Sequence, residues 1–255
     1  MRKLLLICII ALASPVLVSA QDWMPPDTLE DMIIYSHERS GFGMIHSAGI
    51  GLGFRAGYSS TIFRTRNLSI ELSTLISLKQ LKFINPYYAN AKRFVYGKLN
   101  DVGLLRAGYG FTNLINRKPY WGGVELHWLW EAGPSLAFEK PYYLYVFKVV
   151  PASDDEFDYV LDTQKFSDKD TWVEIFGRAP FTKGINELRL VPGAYAKLGL
   201  SMEFGAVRTS IKAVETGVIV SWFPQRLHLM DDDNHQMLYL NFYISYSFGT
   251  RFNKY

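Results

Sequence analysis

The sequence predicts an all-β protein, a transmembrane antiparallel β-barrel of eight strands, and three observations carry that expectation. In residues 236–248, Leu238, Leu240, Phe242, Ile244, Tyr246 and Phe248 alternate with Tyr239, Asn241, Tyr243, Ser245 and Ser247. A period of two gives one greasy and one polar face over a length that crosses a hydrocarbon layer only as a tilted strand. The same pattern recurs along the chain. The third observation is an export leader: Arg2 and Lys3 precede an apolar run over residues 4–18, and Val18-Ser19-Ala20 offers cleavage after Ala20.

Composition excludes several classes. Beyond the leader, apolar stretches are broken by Lys, Glu, Gly or Pro well short of the roughly eighteen residues a spanning helix needs. Cys8 is the only cysteine and lies inside the leader, so the mature chain has no disulfide, thiol chemistry or cysteine-held metal. Losing Arg2 and Lys3 reduces the 27 basic residues to 25 against 24 acidic ones. Such a balance gives no basic field for nucleic acid. The 255-residue chain then keeps roughly 235 residues, enough for one all-β domain. Its 15 % aromatic content and 20 glycines suit a barrel with aromatic girdles at the membrane interfaces. The domains read as leader 1–20, a periplasmic N-terminal segment 21–45 and an outer-membrane barrel 46–255.

Eight segments alternate. In the first, Ile50, Leu52, Phe54 and Tyr58 face outward against Gly49, Gly51, Gly53, Arg55 and Gly57; small inward positions let a narrow barrel close around a few charges. In the second, Leu68, Ile70, Leu72, Thr74, Ile76 and Leu78 oppose Ser69, Glu71, Ser73, Ser77 and Lys79. The third, residues 99–109, is mixed, because Asp101, Gly103 and Arg106 fall on both faces, which points to a bulge or to an error in the assumed register. The fourth sets Val124, Leu126, Trp128 and Trp130 against Glu125, His127, Leu129 and Glu131. The fifth, residues 142–150, is apolar on both sides except for Lys148. The sixth sets Ala194, Ala196, Leu198, Leu200, Met202 and Phe204 against Tyr195, Lys197, Gly199, Ser201 and Glu203. The seventh sets Val214, Thr216, Val218, Val220 and Trp222 against Ala213, Glu215, Gly217 and Ser221. The eighth is the closing segment, after which residues 249–255 read as an extension.

An even count keeps both termini periplasmic. With the first segment running outward, residues 58–67, 110–121, 151–183 and 223–235 are extracellular, and 138–141 and 205–209 are short periplasmic turns. Residues 80–98 then form a long periplasmic connection. It carries Lys82, Lys92, Arg93 and Lys98 without an acid, and Phe83, Tyr87, Tyr88, Phe94 and Tyr96. Residues 151–180 are the reverse, with eight acids (Asp154, Asp155, Glu156, Asp158, Asp162, Asp168, Asp170 and Glu174) against Lys165, Lys169 and Arg178, a net −5. An acidic loop needs only solvent or ion bridges to lipopolysaccharide, and a basic aromatic one sits naturally at headgroups. The alternative is docking, with Tyr87, Tyr88, Lys92, Arg93, Phe94 and Tyr96 as candidate partner contacts. Tyr243, Tyr246 and Phe248 of the closing segment are the candidate signal for membrane assembly.

No constellation for catalysis, cofactor or metal emerges. Glu125, His127 and Glu131 share one strand face at about 6 to 7 Å per two-residue step, too far for a relay unless another strand supplies a partner. Ser135 and Ser201 show no spacing that pairs them with His127. These groups read as lumen filling with Arg55, Lys79, Arg106 and Lys197. His228 and His235 flank Asp231, Asp232 and Asp233, and read as a charged loop tip rather than a metal site. Eight strands leave room for side chains and not for a diffusion pore. A count of ten or more, with residues 33–44 and 185–191 joining, would permit a narrow pore.

From Asn85-Pro86-Tyr87-Tyr88 onward, four blocks look familiar. They are Asn85 to Asn100, Leu105-Arg106-Ala107-Gly108-Tyr109-Gly110, Lys140-Pro141-Tyr142-Tyr143-Leu144, and Pro192-Gly193-Ala194-Tyr195-Ala196-Lys197-Leu198-Gly199-Leu200. The chain resembles, over about residues 40–253, a family of small outer-membrane β-barrel proteins of Bacteroidota. The resemblance implies barrel architecture and outer-membrane location, with no catalytic residues. It also implies companionship with a large outer-membrane complex, the β-barrel assembly machinery first and the secretion translocon second. The partners expected are therefore outer-membrane lipid, lipopolysaccharide and proteins of such a complex. A free-standing structural barrel or narrow pore is the alternative, with a small-barrel lipid-modifying enzyme behind it.

Overall fold

The structure is a computed structural model that describes residues 35–116, 123–153, 156–166, 173–205, 209–231 and 236–253. The expected leader and its cleavage point lie outside the described residues, as do Asp154, Asp155, Asp168, Asp170, Asp232, Asp233 and His235.

The strands are β1 (His37–His46), β2 (Gly49–Thr61), β3 (Arg64–Leu75), β4 (Lys82–Phe83), β5 (Phe94–Val95), β6 (Asn100–Asn116) and β7 (Glu125–Pro141). They continue with β8 (Tyr143–Ser153), β9 (Glu156–Lys165), β10 (Ile175–Arg178), β11 (Arg189–Glu203), β12 (Ser210–Trp222) and β13 (Leu238–Phe252). Eight of them close an antiparallel barrel in the order β1-β13-β12-β11-β7-β6-β3-β2. Among the described residues no helix is long and apolar enough to cross a membrane.

The barrel has the eight strands expected, with one exchange. Residues 142–150, taken for the fifth strand, lie outside the barrel in a separate three-stranded sheet ordered β10-β8-β9. The missing strand is β1, placed by the sequence in a periplasmic segment, so the barrel starts at His37 and not at residue 46. Its inward side chains are Ser40, Phe42, Met44 and His46, and it pairs with β13 and β2 over its whole length. Residues 185–191 contribute a single 3-10 turn, Ile185–Glu187, and the start of β11.

This exchange reverses the run of β2, β3, β6 and β7 relative to expectation. The connections after β2, β6 and β11 leave at the end where β1 begins and β13 ends, while those after β3, β7 and β12 leave at the other. Residues 80–98 therefore belong to the loop end, together with the acidic segment once set opposite them. Residues 138–141 form no turn, because β7 runs through Pro141. The third segment needs no bulge, since β6 holds one register against β3, and its irregularity falls at Leu114 and Asn116 against β7. The closing strand runs past Phe248 to Phe252.

The facing of the other barrel strands follows the alternation. Leu52, Leu72, Leu200 and Ile244 stand on the outer wall with half or more of their surface exposed. Toward the terminus end the outer wall turns aromatic: Tyr109, Phe111 and Trp130 stack in a row at 5.4 and 5.0 Å, and Phe204 meets Tyr246 at 6.3 Å. The inward glycines make the lumen usable. A Cβ on Gly108 would overlap the Tyr195 hydroxyl, and one on Gly199 the Tyr243 hydroxyl. Only glycine lets those rings cross so narrow an interior.

Candidate functional site: a filled lumen beneath an ordered cap

Six charged side chains from six strands meet at the barrel's centre. Arg106 of β6 is fully buried; it bonds Glu71 of β3 and donates to Ser73 Oγ at 3.1 Å and Ser221 Oγ at 3.3 Å. Arg55 of β2 donates to Glu215 of β12 at 3.0 Å, and Lys197 of β11 lies 3.2 Å from Glu215 and 3.9 Å from Glu71. Tyr243 donates to Glu215 at 2.6 Å, while Ser69, at 2.6 Å, and Tyr195 both donate to Glu131. Three acids thus face three bases. Buried charges persist only when compensated: Arg55, Arg106 and Lys197 each sit in an ion pair with a carboxylate, Glu131 is held by hydroxyls, and among the described residues Lys197 Nζ, Arg106 Nε, Glu71 Oε2 and Glu131 Oε2 have no hydrogen-bond partner. The sequence placed Arg55, Arg106, Lys197 and Glu131 here correctly, but Lys79 is exposed in the loop after β3.

Above the network, hydrophobic side chains plug the loop end. Phe223, Leu227, Leu229 and Met230 descend from the β12–β13 connection onto Leu75, Val102, Leu104, Ala137 and Val191 of the wall. The connection is tied down by Leu99 N to Leu229 O (3.0 Å), Asp231 N to Gly97 O (2.9 Å) and His228 N to Glu139 Oε1 (2.7 Å). His228 is therefore part of this anchorage, 3.2 Å from Arg189.

The plug supports a cap that unites the two loops of opposite charge. Phe94, Tyr142, Leu144, Val146 and Ile175 form its core. Asn85 Nδ2 donates to the carbonyls of Val173 and Ile175, both at 2.9 Å, so the basic segment covers the edge of β10. Exposed ion pairs lace the rim. Lys148 and Asp162 meet at 2.6 Å, and the Lys148 ammonium holds the Asp162 carboxyl below its usual range. Lys165 and then Tyr143, both bonded to Glu187, hold its carboxyl low, while Glu187 pushes Lys165 up.

The candidate contact residues divide accordingly. Phe94 is buried, and Tyr88 is half-buried against Phe147 and Phe176 at 4.7 and 5.9 Å. Neither offers a free surface, because both are spent on holding the cap together. Tyr96 stacks on Phe166 at 5.1 Å with its outer side in solvent. Tyr87, Lys92 and Arg93 point outward. Beside them stands an apolar ridge of Leu78, Leu81, Phe83 and Ile84, all exposed; the sequence set Leu78 on a lipid-facing strand and Phe83 in the basic connection, and did not single out Leu81 or Ile84. Its signal was present in the alternation that continues through Leu78, past the true end of β3 at Leu75.

Of the assembly candidates, Tyr246 and Phe248 stand on the outer wall. Tyr243 does not, being 2 % exposed and bonded to Glu215 in the lumen. The partner that the Glu125 and His127 face lacked is supplied by β11. Glu203 lies directly opposite Glu125 and Ser201 opposite His127 on the ladder.

An apolar outer wall around a charged interior defines the class, a β-barrel of the membrane-spanning kind. No protein-family model matches the chain. No curated protein matches its sequence. Among solved structures, the chain is similar to neisserial surface protein A at a TM-score of 0.40 and 8% identity, covering 85% of this chain and 96% of that one. The attachment invasion locus protein Ail of Yersinia pestis gives 0.38 and 9%, with 86% and 100% covered. The N-terminal β-barrel domain of Pseudomonas aeruginosa OprF gives 0.35 and 11%, with 85% and 96% covered.

Proposed function

We propose that this protein is an integral outer-membrane barrel that works without catalysis, as an accessory or scaffolding subunit of a larger outer-membrane complex. The β-barrel assembly machinery is the first candidate and the secretion translocon the second. The observation that carries the reading is the blocked interior: paired charges fill its centre and Phe223, Leu227, Leu229 and Met230 close its loop end. A molecule with no path through it acts through its surfaces. With the termini in the periplasm, as in single-chain barrels, the cap stands outside the cell and lipopolysaccharide surrounds the wall.

The cap offers what a protein partner uses. Tyr87, Lys92 and Arg93 adjoin the exposed ridge of Leu78, Leu81, Phe83 and Ile84, and aromatic and Arg side chains anchor interfaces. The resemblance to the Bacteroidota barrels supports the same role. The test is purification of the tagged protein from outer membranes in several mild detergents. A stoichiometric membrane protein should co-elute, and replacing Tyr87, Lys92 and Arg93 with Ala should release it while the barrel keeps its heat-dependent gel shift. Absence of any such partner overturns the reading in favour of a free-standing barrel, and ion conductance in planar bilayers overturns it in favour of a narrow pore.

A further inference from the structure

The centre of the lumen is charge-balanced, but its terminus-side mouth is not. Glu38 of β1, Glu125 and His127 of β7, Glu203 of β11 and Arg251 of β13 face one another there. Among the described residues three carboxylates meet one guanidinium there, which leaves −2 with a neutral imidazole. Arg251 serves two of the acids: its terminal nitrogens lie 2.7 and 2.6 Å from Glu203, and its Nε lies 3.3 Å from Glu38. Glu125 feels it only through space. That carboxylate is paired across the ladder with Glu203, a position in which like charges repel. His127 Nε2 lies 3.8 Å from it, beyond hydrogen-bond range. Both side chains are largely withdrawn from solvent, at 23% and 14% exposure.

We propose that this mouth is a binding site for a divalent transition cation of the zinc class, held by His127 Nε2 and one carboxylate oxygen each from Glu125 and Glu203. Those three atoms lie within 4.8 Å of one another. Ligand bonds of about 2.0 to 2.2 Å around tetrahedral zinc set ligand atoms roughly 3.3 to 3.6 Å apart, so side-chain rotation alone closes the site. One imidazole with two carboxylates suits zinc, whereas calcium and magnesium take all-oxygen sets. The strands pre-position the donors: Glu125 and His127 are two residues apart on one inward face, and Glu203 is their cross-strand neighbour. Glu203 keeps its arginine, because each carboxylate oxygen has a second lone pair. Arg251 then acts as the outer partner that orients a ligand, and water completes the coordination. The cation removes the Glu125–Glu203 repulsion and fastens β7 to β11.

The test uses the full-length barrel, folded in detergent and stripped with chelator, titrated calorimetrically with zinc chloride. One equivalent should bind, with calcium and magnesium at least about tenfold weaker. Each of His127→Gln and Glu125→Gln should weaken zinc at least about tenfold, and wild type alone should resist thermal unfolding better when zinc is present. A His228→Gln, His235→Gln double variant should bind as wild type does. If His127→Gln fails to insert, Glu125→Gln decides the matter. No zinc binding overturns the proposal, as does calcium binding as tight as zinc. So does binding that survives both mouth variants, or binding that disappears with the loop histidines.

Discussion

Arg55 and Glu215 join at 3.0 Å from β2 to β12, strands separated around the barrel wall by β1 and β13. Glu215 also takes the Tyr243 hydroxyl and lies beside Lys197. A single carboxylate thereby anchors three side chains in the buried interior. Glu215→Gln leaves two buried cations short of a counter-charge, and breaking such a group costs about 3 to 5 kcal/mol. Urea titration of the barrel in lipid vesicles should show that loss.

The outer wall sets the second prediction. Leu200 faces outward in the second half of β11, and Leu200→Arg should cost about 2 kcal/mol of folding free energy in vesicles. Leu78, still more exposed but beyond the end of β3, should accept Arg within about 0.5 kcal/mol. Equal penalties at both sites would mean that the ridge lies inside the bilayer.

Narrowness of the lumen is testable at one atom. Gly108→Ala puts a methyl group where the Tyr195 hydroxyl and Glu131 sit, so overpacking should cost about 1 to 3 kcal/mol. Adding Tyr195→Phe should recover part of that loss by freeing the space.

The end of the chain is part of the strand. Arg251 and Phe252 belong to β13, and Arg251 is the cation that answers Glu203 and Glu38. Deleting residues 251–255 should therefore lower stability and weaken membrane assembly in pulse-chase measurements, contrary to the dispensable extension expected from the sequence. Deleting 254–255 alone should leave both unchanged, because Asn253, which accepts from Ser36 N at 2.8 Å, stays in place.

The rim of the cap carries a pH prediction. Lys165, and after it Tyr143, hold the Glu187 carboxyl below its ordinary range. A lowered carboxyl stabilises above its unfolded value, about 4.3, and the contribution is lost as pH falls through the lower folded value. NMR titration should place the Glu187 midpoint below about 4.3, and Lys165→Gln should move it upward. A midpoint indifferent to Lys165 would show that the pair does not persist in solution.

The alternation of apolar and polar residues was enough for the membrane barrel, the facing of Leu72, Leu200 and Ile244, and the presence of Arg55, Arg106 and Lys197 in the lumen; the count of eight came out right because one wrongly included segment offset one that was missed. A wall bathed in hydrocarbon must be apolar outside and leave its charges inside, so each strand carries that information locally. Only tertiary structure decided which segments close the ring. β1 hides because its outward residues are Arg39, Gly41, Gly43 and Ile45, and the greasy cover over Gly41 is the Phe248 ring of its neighbour. Residues 142–150 mislead because a strand covered by cap side chains reads like one covered by lipid. That exchange preserved the count yet turned four strands around and carried residues 80–98 to the loop end. The mouth of Glu125, His127 and Glu203 was equally out of reach, because its third member comes from a strand more than seventy residues away and register, which no local pattern encodes, is what brings it opposite.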